Sequence, residues 1–238
     1  YEVSDKHGSD VLRYYMCENT AGETFNFNWE NIKVKQRNIT VLYNLSSLLI
    51  QLSEELKVNP SKIKISDNSL SIEENYILSV LNSKIKKITQ LFDQYRINEV
   101  ITEIEDLFLE LSRSYIKFVR DKSSIGSIQE RKTVVVVLFN VLFTTIKMFS
   151  TIAPFISEKI YQNLKLKFKL KEESIFFHEW PKYNSKKINK KLEMDMDIVK
   201  NLIQAMPHSR EKAKLGVRWP LKEAVITTKN SKTKSAIR

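Results

Sequence analysis

The chain is poor in the residues that build covalent staples, metal sites and phosphate loops. It has one cysteine, Cys17, in 238 residues. That excludes an internal disulfide framework and suits a reducing, cytoplasmic setting. The three histidines, His7, His178 and His208, stand far apart in sequence, and with a single thiol they do not make the usual structural zinc site. Four glycines leave little scope for a glycine-rich phosphate loop. The apolar stretch Thr133 to Phe155 is interrupted by Asn140, Lys147 and Pro154. It falls short of the roughly 20 continuous apolar residues of a membrane span, so a buried bundle helix and no membrane partner are expected. No secretory or transit segment opens the chain. It begins Tyr1-Glu2-Val3 without an initiator methionine and is expected to be cut from something longer. Glu103, Asp106 and Glu110 share a helical face and read as solvated surface, so nothing points to acid–base catalysis.

What the chain does contain is helical periodicity. Val11, Leu12, Tyr15 and Met16 give a short helix over Asp5–Glu18, followed by a turn at Asn19–Glu23. Phe25, Phe27 and Trp29 alternate with Asn26 and Asn28, which predicts a brief extended stretch. From Glu30 the period changes to three and four: Val34, Ile39, Leu42, Leu45, Leu49 and Leu52 define a first long helix ending before Asn59-Pro60. After a polar connection at Ser61–Asn68, the same reasoning gives helices at Ile72–Asp93, Tyr95–Asp121, Gln129–Ile152 and Pro154–Leu166. Short connections make this an all-α antiparallel bundle. Trp180-Pro181 reads as the cap that closes it. Beyond lie a lysine-rich linker at Lys182–Lys191, a helix near Met194–Lys214 and a strand at Glu223–Thr228. These last elements suggest a short partial α/β extension.

Charge divides the chain unevenly. Pro181 to Arg238 carry 15 Lys and Arg against 5 Asp and Glu, while the first 180 residues hold 24 against 23. A neutral bundle with a basic extension suits a polyanion, above all nucleic acid. A lysine-rich compositional habit is the bland alternative. Arg113, Lys117 and Arg120 follow one another at spacings of four and three, on one helical stripe about 10 Å long that could track an RNA backbone. Solvation plus a Glu110–Arg113 pair is the plainer account. Of Lys33, Lys35 and Arg37, which fan around their helix, Arg37 is the best phosphate ligand. Arg218 and Trp219 could pair with and stack on an unpaired base, although a core plug at a domain junction is the favoured reading of Trp219.

Several segments carry a resemblance. Asp5-Lys6-His7-Gly8-Ser9-Asp10-Val11-Leu12-Arg13-Tyr14-Tyr15 resembles the segment that follows the mobile signature loop of class I aminoacyl-tRNA synthetases. Phe25-Asn26-Phe27-Asn28-Trp29-Glu30 and Val34-Lys35-Gln36-Arg37-Asn38 resemble the isoleucyl, valyl and leucyl subgroup. Ser112 to Asp121, Ala153 to Tyr161 and Phe177-His178-Glu179-Trp180-Pro181 look most like isoleucyl enzymes. Ser209 to Leu221, with Arg218-Trp219-Pro220-Leu221, is similar to a segment of the archaeal and eukaryotic isoleucyl kind. The matches run nearly the full chain in the family's order. Two positions depart: Ser9 and Ser114 stand where alanine and an aromatic are usual, so no stacking is expected from position 114.

The resemblance implies a C-terminal fragment with three parts: a connector from the catalytic domain (1–30), a helical anticodon-binding domain (31–181), and a basic linker with a truncated junction module (182–238). It implies that Arg113, Lys117, Arg120, Lys122, Arg131 and Lys132 face the anticodon side, and that Arg218 and Trp219 either approach the anticodon or brace the bundle. The partners it implies are tRNA(Ile) and the catalytic domain of the same polypeptide, in a monomer. The parent enzyme would ligate isoleucine to tRNA(Ile) using ATP with Mg. The fragment itself would hold no cofactor or metal and no catalytic residue. A valyl or leucyl fragment, a stand-alone tRNA-binding accessory and a structural bundle for protein partners are the alternatives.

Overall fold

A computed structural model describes the chain apart from residues 1, 20–23, 25, 65–69, 217, 221, 224 and 238, and apart from the side chains of 232 and 237. Two compact units emerge, Tyr1–Ile188 and Asn189–Arg238. The expected turn at Asn19–Glu23, Phe25 and the connection at Ser61–Asn68 lie wholly or largely outside the described residues.

The first unit is a bundle. Two short helices, α1 (Glu2–His7) and α2 (Ser9–Met16), are hinged at Gly8, whose φ of 90° is left-handed backbone that a side chain would strain. The long helices follow: α3 (Trp29–Glu55), α4 (Ile72–Asp93) and α5 (Ile97–Glu110). A π-helical turn, Leu111–Tyr115, leads into two short pieces, α6 (Ile116–Phe118) and α7 (Arg120–Ile125). Then come α8 (Ile128–Phe149) and α9 (Pro154–Phe168).

Helix α8 is the centre. It packs against α3, α4, α5 and α9, and Val134 through Leu138, Val141, Leu142, Ile146, Met148 and Phe149 are all buried. Among the described residues it is the one helix long and apolar enough to cross a membrane by length and composition. Here its apolar surface is spent on four neighbouring helices, as the interruptions at Asn140 and Lys147 led us to expect.

Local chemistry sets the helix ends. Ser127 and Glu130 form a reciprocal capping box on α8, the Ser127 amide donating to the Glu130 carboxylate at 2.8 Å and the Glu130 amide to Ser127 Oγ at 3.3 Å. Pro154 opens α9 at a position where no amide proton is needed. The tertiary structure supplies the rest of that cap: Asp10 Oδ2, from α2, accepts the Ile156 amide at 2.7 Å. With so little glycine, helices stop on residues that dislike the job. Lys57, Tyr95 and Lys169 take positive φ after α3, α4 and α9, and in each case the next amide bonds back five residues.

The N-terminal helices belong to this unit. Val11 and Tyr15 pack on Ile32. Lys35, whose side chain is 6% exposed, bridges Glu18 and Glu105 Oε2, the latter at 2.6 Å. Tyr14 donates to the same Glu105 carboxylate, and the Lys35 ammonium lies 4.6 Å over the Tyr14 ring. Trp180 Nε1 donates to Thr89 Oγ1 at 2.9 Å and the indole meets Phe92 edge-on, so the expected closing cap is present. The next residues stay with the bundle: the Asn184 amide donates to Asn82 Oδ1 at 2.7 Å.

The second unit contains α10 (Lys190–Lys212) and α11 (Ser231–Ile237). The strand expected at Glu223–Thr228 does not form among its described residues, which carry no regular structure. A lone β-prone segment has no ladder to join. Among its described residues the extension therefore has two helices and no strand, and is not a partial α/β module.

Candidate nucleic-acid interface

The basic residues sort into two kinds once their surroundings are known. Leu111, Tyr115 and Val119 are buried, at intervals of four, and anchor the segment after α5. Arg113, Lys117 and Arg120 consequently point outward, and all three are exposed. They do not share one regular helix. The π-helical turn contains Arg113, and the backbone breaks at Val119 (φ −94°, ψ 9°) between Lys117 and Arg120. A π turn arises where an extra residue is accommodated in a helix, and spacing alone gave no sign of it. None of the three makes a side-chain hydrogen bond or ion pair among the described residues. The Glu110–Arg113 pair is not formed, and Glu110 accepts the Tyr76 hydroxyl at 2.7 Å.

Lys122 is of the other kind. Its ammonium is 3.1 Å from Glu74 Oε1 and 3.2 Å from Glu73 Oε2, and also meets Ser71 Oγ. The Glu74 side chain is 1% exposed. Burial alone would pull the Lys122 pKa down; Glu74 and Glu73 outweigh it and hold it above the usual lysine range. Lys122 thus neutralises a buried carboxylate. Gly126, just beyond, ends α7 against this lysine: a Cβ there would lie 2.4 Å from the Lys122 carbonyl oxygen. Arg131 is also engaged, its Nε donating to the Ser123 carbonyl at 3.0 Å and its guanidinium 3.4 Å from Glu55. The partners of Lys122 come from nearly fifty residues upstream, which no local reading could supply.

Lys132 is half-buried and makes no side-chain hydrogen bond or ion pair among the described residues, and Arg37 is exposed on α3. Lys35, two residues before Arg37, is turned inward instead. In the second unit Arg218 is exposed and Trp219 is 66% exposed. Trp219 is no core plug in that unit. Its backbone is held by Arg210, which donates to the Gly216 and Trp219 carbonyls at 2.9 Å each, and the indole stays largely exposed. Among the described residues no group of three His, Cys, Asp or Glu could hold a metal ion.

Unpaired cations on a neutral bundle suit phosphate oxygens, and an open indole beside an arginine suits an unpaired base. Known proteins carry similar sequences. The chain is 29% identical to the isoleucine–tRNA ligase of Methanocella arvoryzae over 243 residues, covering 100% of this chain and 22% of that protein. It is 31% identical to the isoleucine–tRNA ligase of Methanothermobacter thermautotrophicus over 233 residues, covering 96% and 22% respectively. It therefore spans about a fifth of the length of these relatives. The fold is similar to that of the LeuRS of Agrobacterium radiobacter K84, solved as a ternary complex with tRNA and LeuAMS, with a TM-score of 0.60 and 17% identity over 79% of this chain and 21% of that one. Residues 74–226, well over half of the chain, match the anticodon-binding domain of tRNA ligases, and the chain belongs to that family.

Proposed function

We propose that this chain is the tRNA-binding portion of an isoleucine–tRNA ligase and grips the anticodon stem of tRNA(Ile). The observation that carries the reading is the trio Arg113, Lys117 and Arg120, exposed and without partners among the described residues, on a domain of the anticodon-binding family. Arg37, Lys132, Arg218 and Trp219 extend the contact, while Lys122 and Arg131 shape the surface from within. The parent enzyme, a cytoplasmic monomer, activates isoleucine with ATP and Mg and esterifies the tRNA. The relatives' isoleucine–tRNA ligase names and their greater length support that assignment. In this reading the nucleotide chemistry belongs to residues of the parent enzyme outside this chain. Its own contribution is binding and orientation.

Filter binding across a salt series tests this. Replacing Arg113, Lys117 and Arg120 together with alanine should flatten the log–log salt dependence by about 2–3, near 0.7–0.9 per lost phosphate contact. Lys122→Met should instead destabilise the bundle while leaving the slope of the folded protein unchanged. An unchanged slope in the triple variant would refute the proposed interface. Equal binding of tRNAs bearing isoleucine and valine anticodons would refute the isoleucine assignment, and an isoleucine-dependent pyrophosphate exchange signal would refute the non-catalytic role.

A further inference from the structure

The bundle holds a second gathering of positive charge, at the far end of α8 from Arg131 and Lys132. Lys147 is sixteen residues beyond Arg131, which is about 24 Å along a helix. There a cavity of about 510 Å³ opens between the Pro60–Lys62 turn, α4, α8 and the segment after Trp180. Lys64, Lys147, Lys182 and Lys187 line it, and no Asp or Glu does among the described residues. Asn82 is committed to the wall, donating to the Leu78 carbonyl and accepting the Asn184 amide at 2.7 Å each. Asn140, by contrast, is exposed on the lining and makes no side-chain hydrogen bond among the described residues.

Lys147 is the informative member. It is half-buried and forms no ion pair among the described residues; its ammonium lies 5.6 Å over the Phe143 ring. Burial pushes its pKa below the usual lysine range, and Glu179, the one carboxylate that opposes this, does not line the cavity. A partly desolvated cation whose one opposing carboxylate is not in ion-pair contact is costly, and further lysines around the same concavity add repulsion. A merely solvated face would be convex and would leave Lys147 in water. The arrangement is relieved when an anion enters, and a multiply charged one with several acceptor oxygens uses the most of it.

We propose that this cavity is an anion site for phosphate groups, with Lys147 as its half-buried cation, Lys64 and Lys182 as its exposed ones and Asn140 as an amide donor. The chemistry is common to an RNA phosphodiester and to a soluble polyphosphate. The site stands independently of the tRNA reading, and the test separates the two sources.

Inorganic tripolyphosphate is the probe, titrated calorimetrically into the 238-residue chain at low ionic strength. Saturable one-to-one binding is expected. Lys147→Met with Lys182→Ala should weaken it by about tenfold or more, as expected for lost hydrogen bonds to a charged group. Lys159→Ala with Lys171→Ala removes the same charge from exposed positions outside the cavity, and should cost less than about threefold through general electrostatics. Tripolyphosphate should also protect Lys147 and Lys182 of the unaltered chain from amine acetylation, a readout independent of whether any variant folds. Absence of saturable binding, an equal loss in the control pair, or no protection overturns the proposal. If the Lys147/Lys182 variant also binds tRNA more weakly, the occupant is an RNA phosphodiester. If tRNA binding is unaffected, it is a soluble polyphosphate; either result upholds the site.

Discussion

Replacing Lys35 with methionine isolates what one buried cation contributes to this fold. Methionine keeps most of the apolar stem and removes the charge. The Lys35 side chain is 6% exposed and its partners Glu105 and Glu18 are 19% and 32% exposed. Stranding a fully buried partner costs about 3–5 kcal/mol, whereas breaking an exposed pair costs about 0–1. Glu105 keeps some solvent and the Tyr14 hydroxyl, which moves the expectation to the lower end, about 3 kcal/mol. With a urea m-value of about 2 kcal/mol/M, the main transition followed by far-UV circular dichroism should move down by about 1.5 M. Because the pair is sequestered, moderate salt should not erase the difference. Lys35→Met with Glu105→Gln should recover most of the loss, since the more buried of the two stranded charges is gone and Glu18 is the more exposed one. A single-variant cost below about 1 kcal/mol, or a double variant as unstable as the sum of the singles, would refute the reasoning.

Two further outcomes follow from backbone and burial. Tyr95 is 88% exposed at φ 56°, so Tyr95→Gly should relieve about 1 kcal/mol of left-handed strain and raise the bundle's melting temperature by about 2–4 °C; a lower melting temperature would contradict it. His178, within 3.1 Å of the Tyr161 hydroxyl and edge-on to Phe143, has its pKa lowered by burial and then by Lys147, against a smaller opposing pull from Glu172. The folded state thus prefers the neutral ring. This contribution is complete above about pH 6.5, the unfolded value, and is lost as pH falls through the lower folded value. Thermal melts between about pH 7.5 and 5 should show a steeper acid-side loss for the wild type than for His178→Gln, and parallel curves would exclude the role.

The sequence by itself determined the helices, because each must bury an apolar stripe whose period is written locally. Ile72–Asp93 is found at the residues expected, and α3, α8 and α9 agree within a few residues. It also determined that α8 lies inside and that Trp180 closes the bundle. The strand at Glu223–Thr228 was not decided locally, since a strand exists only with a partner. Tertiary structure alone decided which basic side chains remain free. Lys122 and Lys35 look like any solvated lysine in the sequence, yet each sits against carboxylates that the fold brings from distant helices. Arg113, Lys117 and Arg120 stay open because Leu111, Tyr115 and Val119 take the core-facing positions around a π turn. Charge pairing is a short-range interaction between residues remote in sequence, so composition gives the number of cations and only packing says which are available to a ligand.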